Sequence, residues 1–214
     1  MNKYKQKILS DYKNKSELYQ EFCQAIGQVM ESMLKKGAYK YHLSYRVKEF
    51  ASLDEKIERK EKNGKVYKSL KDIEDIAGVR VVFYHRSDRD ELMKMLKKEF
   101  GSTVKLEETS KVSGYRSMHA IVSFSNNRLS LSEYERFKGL KCEVQLTLIL
   151  DHAWAEVEHD ILYKEDAEIS LLSRKDYLYL KKKMETVMSE YIKKGSEELE
   201  SIATEIKKIK AAAK

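Results

Sequence analysis

Arg46, Lys48 and Lys56 are the first residues along this chain whose types and spacing could do chemistry. Positions 46 and 48 fall in an alternating aromatic and polar segment, YKYHLSYRVKE (39–49), so a strand there would point both side chains to one face. Lys56 follows one to two turns into a short basic helix. Three converging cations suit a polyphosphate, although taken alone such a segment is more commonly a solvated basic surface. Two acids complement them. Asp75 comes just before a β-branched run, VRVVFYH (79–85), and Glu143 lies inside LKCEVQL (140–146), between Cys142 and Val144. An acid on a core strand is costly to bury unpaired, so it pairs with Lys or Arg, faces a cleft or binds a cation. Beside phosphate-type cations, the two acids point to magnesium, which commonly takes one or two carboxylates plus substrate phosphates.

Two further constellations compete for attention. The stretch KVSGYRSMH (111–119) joins Lys111, a glycine, the Tyr115 ring, Arg116 and His119 at a strand entrance. A ring beside glycine can stack on a base while Arg116 and His119 supply donors for phosphate, or the ring packs its own turn. His152, Glu156 and His159 stand at i, i+4 and i+7 of one helical segment and share a face. Their spacing is not HExxH, and Trp154 and Ala155 between them imply packing, so a structural role is expected and a zinc hydrolase is the competing reading. Cys23 and Cys142 fit no CxxC or Cys/His ligand spacing and are expected as two reduced, buried or half-buried thiols.

The elements that must position these residues follow from periodicity. With 214 residues the chain is long enough for one domain with helical extensions. A 36% share of charged residues and no apolar run of the ~18–20 residues a span needs argue against a membrane protein. The N-terminus is charged throughout, without the apolar core of a signal peptide, so a cytoplasmic location is expected. The net charge of +7, concentrated in the N-terminal third, favours nucleotide phosphates or RNA as partners. Apolar spacing predicts a helix over 2–35 stopped at Gly37, a strand over 39–49, and a helix over 53–62 capped by Ser52 and ended by Asn63-Gly64. A helical turn at 69–75, a strand at 79–85 and a helix over 87–100 capped by Ser87 come next. Strands at 102–107, 117–124 and 140–146, with a polar loop over 125–138, lead to a helix over 148–163. From 168 the pattern is helical, with a break at Gly195 and a closing segment that reads as a frayed helix or interaction arm.

Read in order, YRVKEFASLDEK (45–56), DIAGVR (75–80), SGYRSMH (113–119), CEVQL (142–146) and HAWAEVEHDILYK (152–164) resemble the synthetase domain of RelA/SpoT-type alarmone enzymes, in particular the small stand-alone synthetases. The resemblance implies an α/β (α+β) fold, a nucleotidyltransferase-like mixed sheet flanked by helices. It divides the chain into an N-terminal helical segment (1–38), a synthetase catalytic core (39–164) and C-terminal helices (165–214). It implies magnesium-dependent transfer of the β,γ-diphosphate of ATP to the ribose 3′-hydroxyl of GDP or GTP. The adenine sandwich would fall on Arg46 and Arg80, and the ATP phosphate contacts on Lys48, Ser52 and Lys56. Asp75 and Glu143 match the acids that hold Mg2+, Glu143 also assisting deprotonation of the hydroxyl. Tyr115 matches the ring that stacks on the acceptor base, with Lys111 and His119 near the acceptor phosphates and Arg116 beside them.

The chain departs from the family pattern in two places. Thr147 stands where an arginine is expected, and KLEETSKVSGY lacks the Asp-Tyr-Ile segment usual before the tyrosine loop. The subgroup includes toxic members that pyrophosphorylate the 3′ end of tRNA, which makes tRNA the alternative acceptor, an antitoxin protein a possible partner and Lys35 and Lys36 its candidate contacts. A homo-oligomer and a catalytically inactive RNA- or partner-binding module are the remaining expectations. The latter is disfavoured because both acids and the ATP cations are present.

Overall fold

The computed structural model describes residues 3–37, 39–101, 104–110, 116–162 and 172–213. In chain order the elements are α1 (Lys5–Lys36), β1 (Tyr41–Val47), α2 (Phe50–Lys62), a 3-10 turn (Leu70–Asp72), β2 (Ala77–Phe83), α3 (Arg86–Phe100), β3 (Lys105–Ser110) and β4 (Arg116–Val122). They continue as α4 (Asn126–Leu129), α5 (Ser132–Glu135), β5 (Cys142–Leu148), α6 (Ile149–Leu162), α7 (Arg174–Thr186), a π-helical stretch (Val187–Ile192) and α8 (Lys193–Ala212). The strands form one mixed sheet of order β1-β2-β5-β4-β3, which places β5 between β2 and β4 although it comes last in the chain. Among the described residues no helix is long and apolar enough to cross a membrane.

The chain divides into two compact units. The first comprises Met1–Val81, Glu91–Glu107 and His119–Gln145; the second comprises Val82–Asp90, Glu108–Met118 and Leu146–Lys214. In the first, α1 turns one face to the sheet, burying Ile8, Tyr12, Tyr19, Phe22, Ile26, Met30 and Leu34. Ala77 and Val79 of β2 and Cys142 and Val144 of β5 are buried, whereas the residues between them are only half-buried. That alternation is the signature of strands with one core face and one face left for a cleft. Phe22 meets Phe124 edge-on at 5.5 Å and Phe137 at 5.6 Å, an aromatic cluster that ties α1 to the chain on either side of α4 and α5. Gly27 lets α1 approach β1 closely, since a Cβ there would stand 3.2 Å from the Tyr45 ring.

Two predicted caps move. The second helix begins at Phe50 with Glu49 at its N-cap, which places Ser52 inside the first turn and not at the cap. At that start the exposed Phe50 ring lies 6.4 Å from the Tyr12 ring of α1. The helix ends as expected at Asn63, with Gly64 taking φ +80°. The third helix begins at Arg86, one residue before the predicted Ser87. In the second unit the Glu200 carboxylate accepts from its first amides, Arg86 N–H at 2.8 Å and Ser87 N–H at 3.3 Å.

The predicted break at Gly195 is also displaced. Gly195 lies within α8, while the irregularity is the π-helical stretch Val187–Ile192. Just before it, the Met184 carbonyl accepts from the Trp154 indole N–H at 3.3 Å as well as from the Val187 amide, and π-bulges arise where the helical ladder is shared or interrupted in this way. Gly195 is a weak helix former, about 1 kcal/mol worse than alanine, which lowers helix stability without ending it. The predicted loop over 125–138 contains the short helices α4 and α5.

Candidate functional site

The cleft face of the first unit is built by strand alternation. Ser44, Tyr45, Arg46, Lys48, Asp75, Gly78, Val79, Arg80, Glu143 and Gln145 line a cavity of about 190 Å³. This is smaller than the ~300–1,000 Å³ usual for a whole ligand, so it accommodates part of a nucleotide and leaves the remainder outside. Five of the predicted site residues therefore converge: Arg46, Lys48, Asp75, Arg80 and Glu143. Lys56 joins them through an ion pair to Asp75, and His119 through a hydrogen bond to Glu143.

The run-in to β2 fixes Asp75. Ser69 and Asp72 form a reciprocal capping box around the 3-10 turn, the Asp72 carboxylate accepting from Lys68 N–H at 2.8 Å and Ser69 N–H at 2.9 Å. Buried Ile73 and Ile76 then anchor the chain on both sides of Asp75. The amide of Lys48 donates to the Ile76 carbonyl at 2.8 Å, and the Tyr12 hydroxyl donates to the Lys48 carbonyl. These bonds bring two ammonium groups to one carboxylate oxygen: Asp75 Oδ2 lies 3.3 Å from Lys48 Nζ and 2.5 Å from Lys56 Nζ. Burial pushes the Asp75 carboxyl up, but the charges and hydrogen bonds of Lys56 and Lys48 outweigh it and hold the group below the usual aspartate range. An ion pair alone would raise the partner lysine. Lys56 instead lies below the ordinary ammonium value, because burial, aided by repulsion from Lys48, exceeds what a shared carboxylate returns. One anion between two cations leaves the corner with positive charge to spare, which suits phosphate.

Glu143 is held differently. Its Oε1 accepts from His119 Nδ1 at 2.9 Å and its Oε2 from Gln145 Nε2 at 2.7 Å. The Gln145 Oε1 in turn accepts from Arg80 Nε at 3.1 Å. Burial pushes the Glu143 carboxyl up, and the His119 and Gln145 hydrogen bonds more than offset it, so the group stays below its ordinary value. Beneath these strands, on the core face, the Cys23 thiol reaches the carbonyls of Arg46 and Gly78, each at 3.6 Å, and hydrogen-bonds the Cys142 thiol. Both cysteines are free and buried, as expected, and burial pushes Cys142 well above the usual thiol range.

Asp75 Oδ1 is buried with no hydrogen-bond partner, the kind of orphaned acceptor that a cation would satisfy. Among the described residues no cluster of three or more ligating side chains occurs. The two carboxylates therefore fit a hard cation whose remaining ligands are phosphate or water oxygens, as magnesium prefers, and do not form an all-protein cage.

The other predicted residues fall elsewhere. Ser52 is exposed in the first turn of α2 and does not line the cleft. Lys111 and Tyr115 lie outside the described residues, as does the Arg116 side chain. Lys35 and Lys36 are exposed at the end of α1, and Lys35 pairs with Glu31 of its own helix at 2.9 Å. His152 Nδ1 stands 3.6 Å from Glu156 Oε1, an i,i+4 contact consistent with the structural reading. Thr147 is buried, its hydroxyl donating to the Leu148 carbonyl at 3.4 Å, so no cation replaces the expected arginine at that position. Sequence reasoning passed over Gln145, although its place two residues after Glu143 on a strand puts both on one face.

Basic side chains and two carboxylates thus line one cleft of a mixed α/β sheet. The profile of the region found in RelA / SpoT proteins matches residues 45–168, more than half of the chain, and the chain belongs to this family. It is 34% identical over 132 residues to GTP pyrophosphokinase YwaC of Bacillus subtilis strain 168, an alignment that spans 60% of each protein. Its fold is similar to a GTP pyrophosphokinase family protein from Streptococcus pneumoniae, with a TM-score of 0.69 at 22% identity over 94% of this chain and 97% of that one. It is similar also to small alarmone synthetase 1 of Bacillus subtilis bound to its product pppGpp, with a TM-score of 0.68 at 20% identity over 92% of this chain and 98% of that one.

Proposed function

We propose that the protein is an ATP-dependent pyrophosphokinase that transfers the β,γ-diphosphate of ATP to the ribose 3′-hydroxyl of GDP or GTP in the cytoplasm. The observation that carries this reading is the pairing of two differently held acids, Asp75 and Glu143, across one cleft flanked by Arg46 and Arg80. Arg46 and Arg80 offer guanidinium planes for the adenine, and Lys48 and Lys56 offer charge for the triphosphate. Asp75 and Glu143 would hold magnesium together with phosphate oxygens. That ion, when bound, supplies neutralisation of the charge that develops on the transferring group. Glu143 takes the proton of the 3′-hydroxyl as its oxygen attacks the β-phosphorus; the bond from that phosphorus to the α,β-bridging oxygen breaks, and AMP leaves. Positioning and charge suffice for such a transfer, and no covalent nucleophile is needed.

The second reading, transfer to the 3′ end of tRNA, draws on the basic N-terminal third and on the absence of a cation at Thr147. Purified protein, magnesium and ATP labelled in the β- or γ-phosphate, offered GDP, GTP, AMP and deacylated tRNA separately, decide between the two. A labelled 3′-diphosphate on GDP or GTP is expected. Labelling of tRNA alone would overturn the first reading, and labelling of no acceptor would overturn both. Lys35→Glu/Lys36→Glu is expected to leave nucleotide transfer unchanged. Were tRNA the acceptor, the double variant would lose tRNA modification, and tRNA affinity would fall steeply with salt.

A further inference from the structure

The proposed reaction assigns nothing to Gln145, yet both polar ends of its side chain are engaged across two strands. Arg80 is on β2, Gln145 and Glu143 are on β5, and His119 is on β4. Because β5 lies between the other two in the sheet, the four side chains form one row. The bonds run Arg80 Nε to Gln145 Oε1 (3.1 Å), Gln145 Nε2 to Glu143 Oε2 (2.7 Å) and His119 Nδ1 to Glu143 Oε1 (2.9 Å). Turning the amide over would set its carbonyl against a carboxylate and its NH2 against the guanidinium N–H, so one orientation alone satisfies both neighbours. The carboxylate has no free oxygen on which to pivot while both bonds hold. With one bond lost, the broad terminal torsion of a glutamate lets the group swing.

We propose that Gln145 is a positioning residue: it fixes the Glu143 carboxylate and makes its orientation depend on where the Arg80 guanidinium lies. A base that stacks on Arg80 thereby sets the carboxylate at the far end of the relay, which aligns the proton acceptor when ATP is in place. The catalytic consequence rests on the pyrophosphokinase reading; the coupling itself is a property of the free protein. Arginine is required at 80 because its Nε–H donates along the edge of a rigid plane, which lysine cannot reproduce.

The test uses Gln145→Met, which keeps the length and volume of the side chain and removes both bonds, and Arg80→Lys, which keeps the charge and removes the edge donor. Gln145→Met is expected to lower kcat about 100-fold, the scale of a misplacement near 1 Å, while changing the KM for ATP less than about threefold. Unchanged kcat would overturn the proposal, and so would a rise in KM alone, which would make Gln145 a direct ATP contact. Independently of turnover, NMR of the free protein at one pH follows the Gln145 side-chain amide and the Glu143 carboxyl carbon. Arg80→Lys is expected to shift both signals, and a Glu143 signal that stays in place would overturn the coupling. Where wild-type protein modifies no acceptor, the reaction reading fails while these spectra still decide the relay. Where Gln145→Met does not fold by circular dichroism, Arg80→Lys carries the test.

Discussion

Asp75 and Glu143 face one cleft, and the corners that hold them solve the same electrostatic problem by opposite means. Asp75 is compensated by full charges, the ammonium groups of Lys48 and Lys56, and keeps one buried oxygen without a partner. Glu143 is compensated by an imidazole and an amide that engage both of its oxygens. Two lysines shared by one aspartate can turn to arriving phosphate, and the aspartate then needs another cation. The amide and imidazole are not drawn off in that way. The difference teaches that one acid of this site is held by mobile charges that an anion could draw off, whereas the other is oriented through partners that it keeps.

The largest expected effects break this comparison directly. Asp75→Asn and Glu143→Gln should each abolish transfer, by on the order of a thousandfold or more, since each removes charge from the electrostatic arrangement on which phosphoryl-type transfer depends. Their stabilities should differ. Asp75→Asn leaves two half-buried ammonium groups without their counter-charge and is expected to cost about 1–3 kcal/mol. Glu143→Gln keeps the size and part of the hydrogen bonding and is expected to stay within about 1 kcal/mol of wild type. Urea unfolding alongside single-turnover transfer reads both quantities, and equal destabilisation by the two substitutions would remove the distinction drawn between the corners.

Much of this site was legible from local pattern. Strand alternation placed Arg46 with Lys48, the β-branched run located β2 behind Asp75, and an acid between Cys142 and Val144 marked the cleft face of β5. What escaped the sequence depends on contacts between distant segments. Gln145 announces its face but not its partner, because Arg80 reaches it only through the sheet order that inserts β5 beside β2. Ser52 has the chemistry of a cap, yet the helix starts two residues earlier at Phe50, whose ring neighbours Tyr12 of a distant segment. Gly195 has the chemistry of a break, yet it lies within a helix and the irregularity falls at Val187–Ile192, next to the Met184 carbonyl that Trp154 of another helix also contacts. Cys23 and Cys142 look unrelated along the chain and meet beneath the site. Propensity names what a residue can do, and tertiary contact decides whether it does so.

An intermediate effect sharpens the donor side of the comparison. Arg46→Ala is expected to weaken ATP binding about tenfold, roughly the loss of one stacked or charge-assisted contact, and to do so equally with every acceptor. Lys48→Ala should weaken ATP binding in the same acceptor-independent way while also removing one of the two charges on Asp75. Isothermal titration with a non-hydrolysable ATP analogue measures this without turnover. An unchanged affinity in both variants, or a loss confined to one acceptor, would take Arg46 and Lys48 off the donor side.

The smallest effect extends the contrast to a third carboxylate in the second unit. Glu200, like Glu143, is held by N–H dipoles, here the amides of Arg86 and Ser87 at the start of α3, with His85 Nδ1 3.9 Å away. Burial pushes its carboxyl up, but the two backbone hydrogen bonds outweigh burial and hold it below the ordinary glutamate value of 4.5. A carboxyl depressed in the folded state adds stability that is fully present above its unfolded value and is lost as pH falls through the folded one. Glu200→Gln keeps an acceptor for the amides but removes the charge that favours a helix N-terminus, so it should cost about 0.5–1 kcal/mol at neutral pH. The gap between wild type and variant should hold down to about pH 5 and close below the glutamate value of 4.5 as the wild-type group protonates. Urea midpoints measured from pH 7 to pH 3 follow it, and a gap that widens on acidification would mean that Glu200 is not held as an anion by the amides of α3.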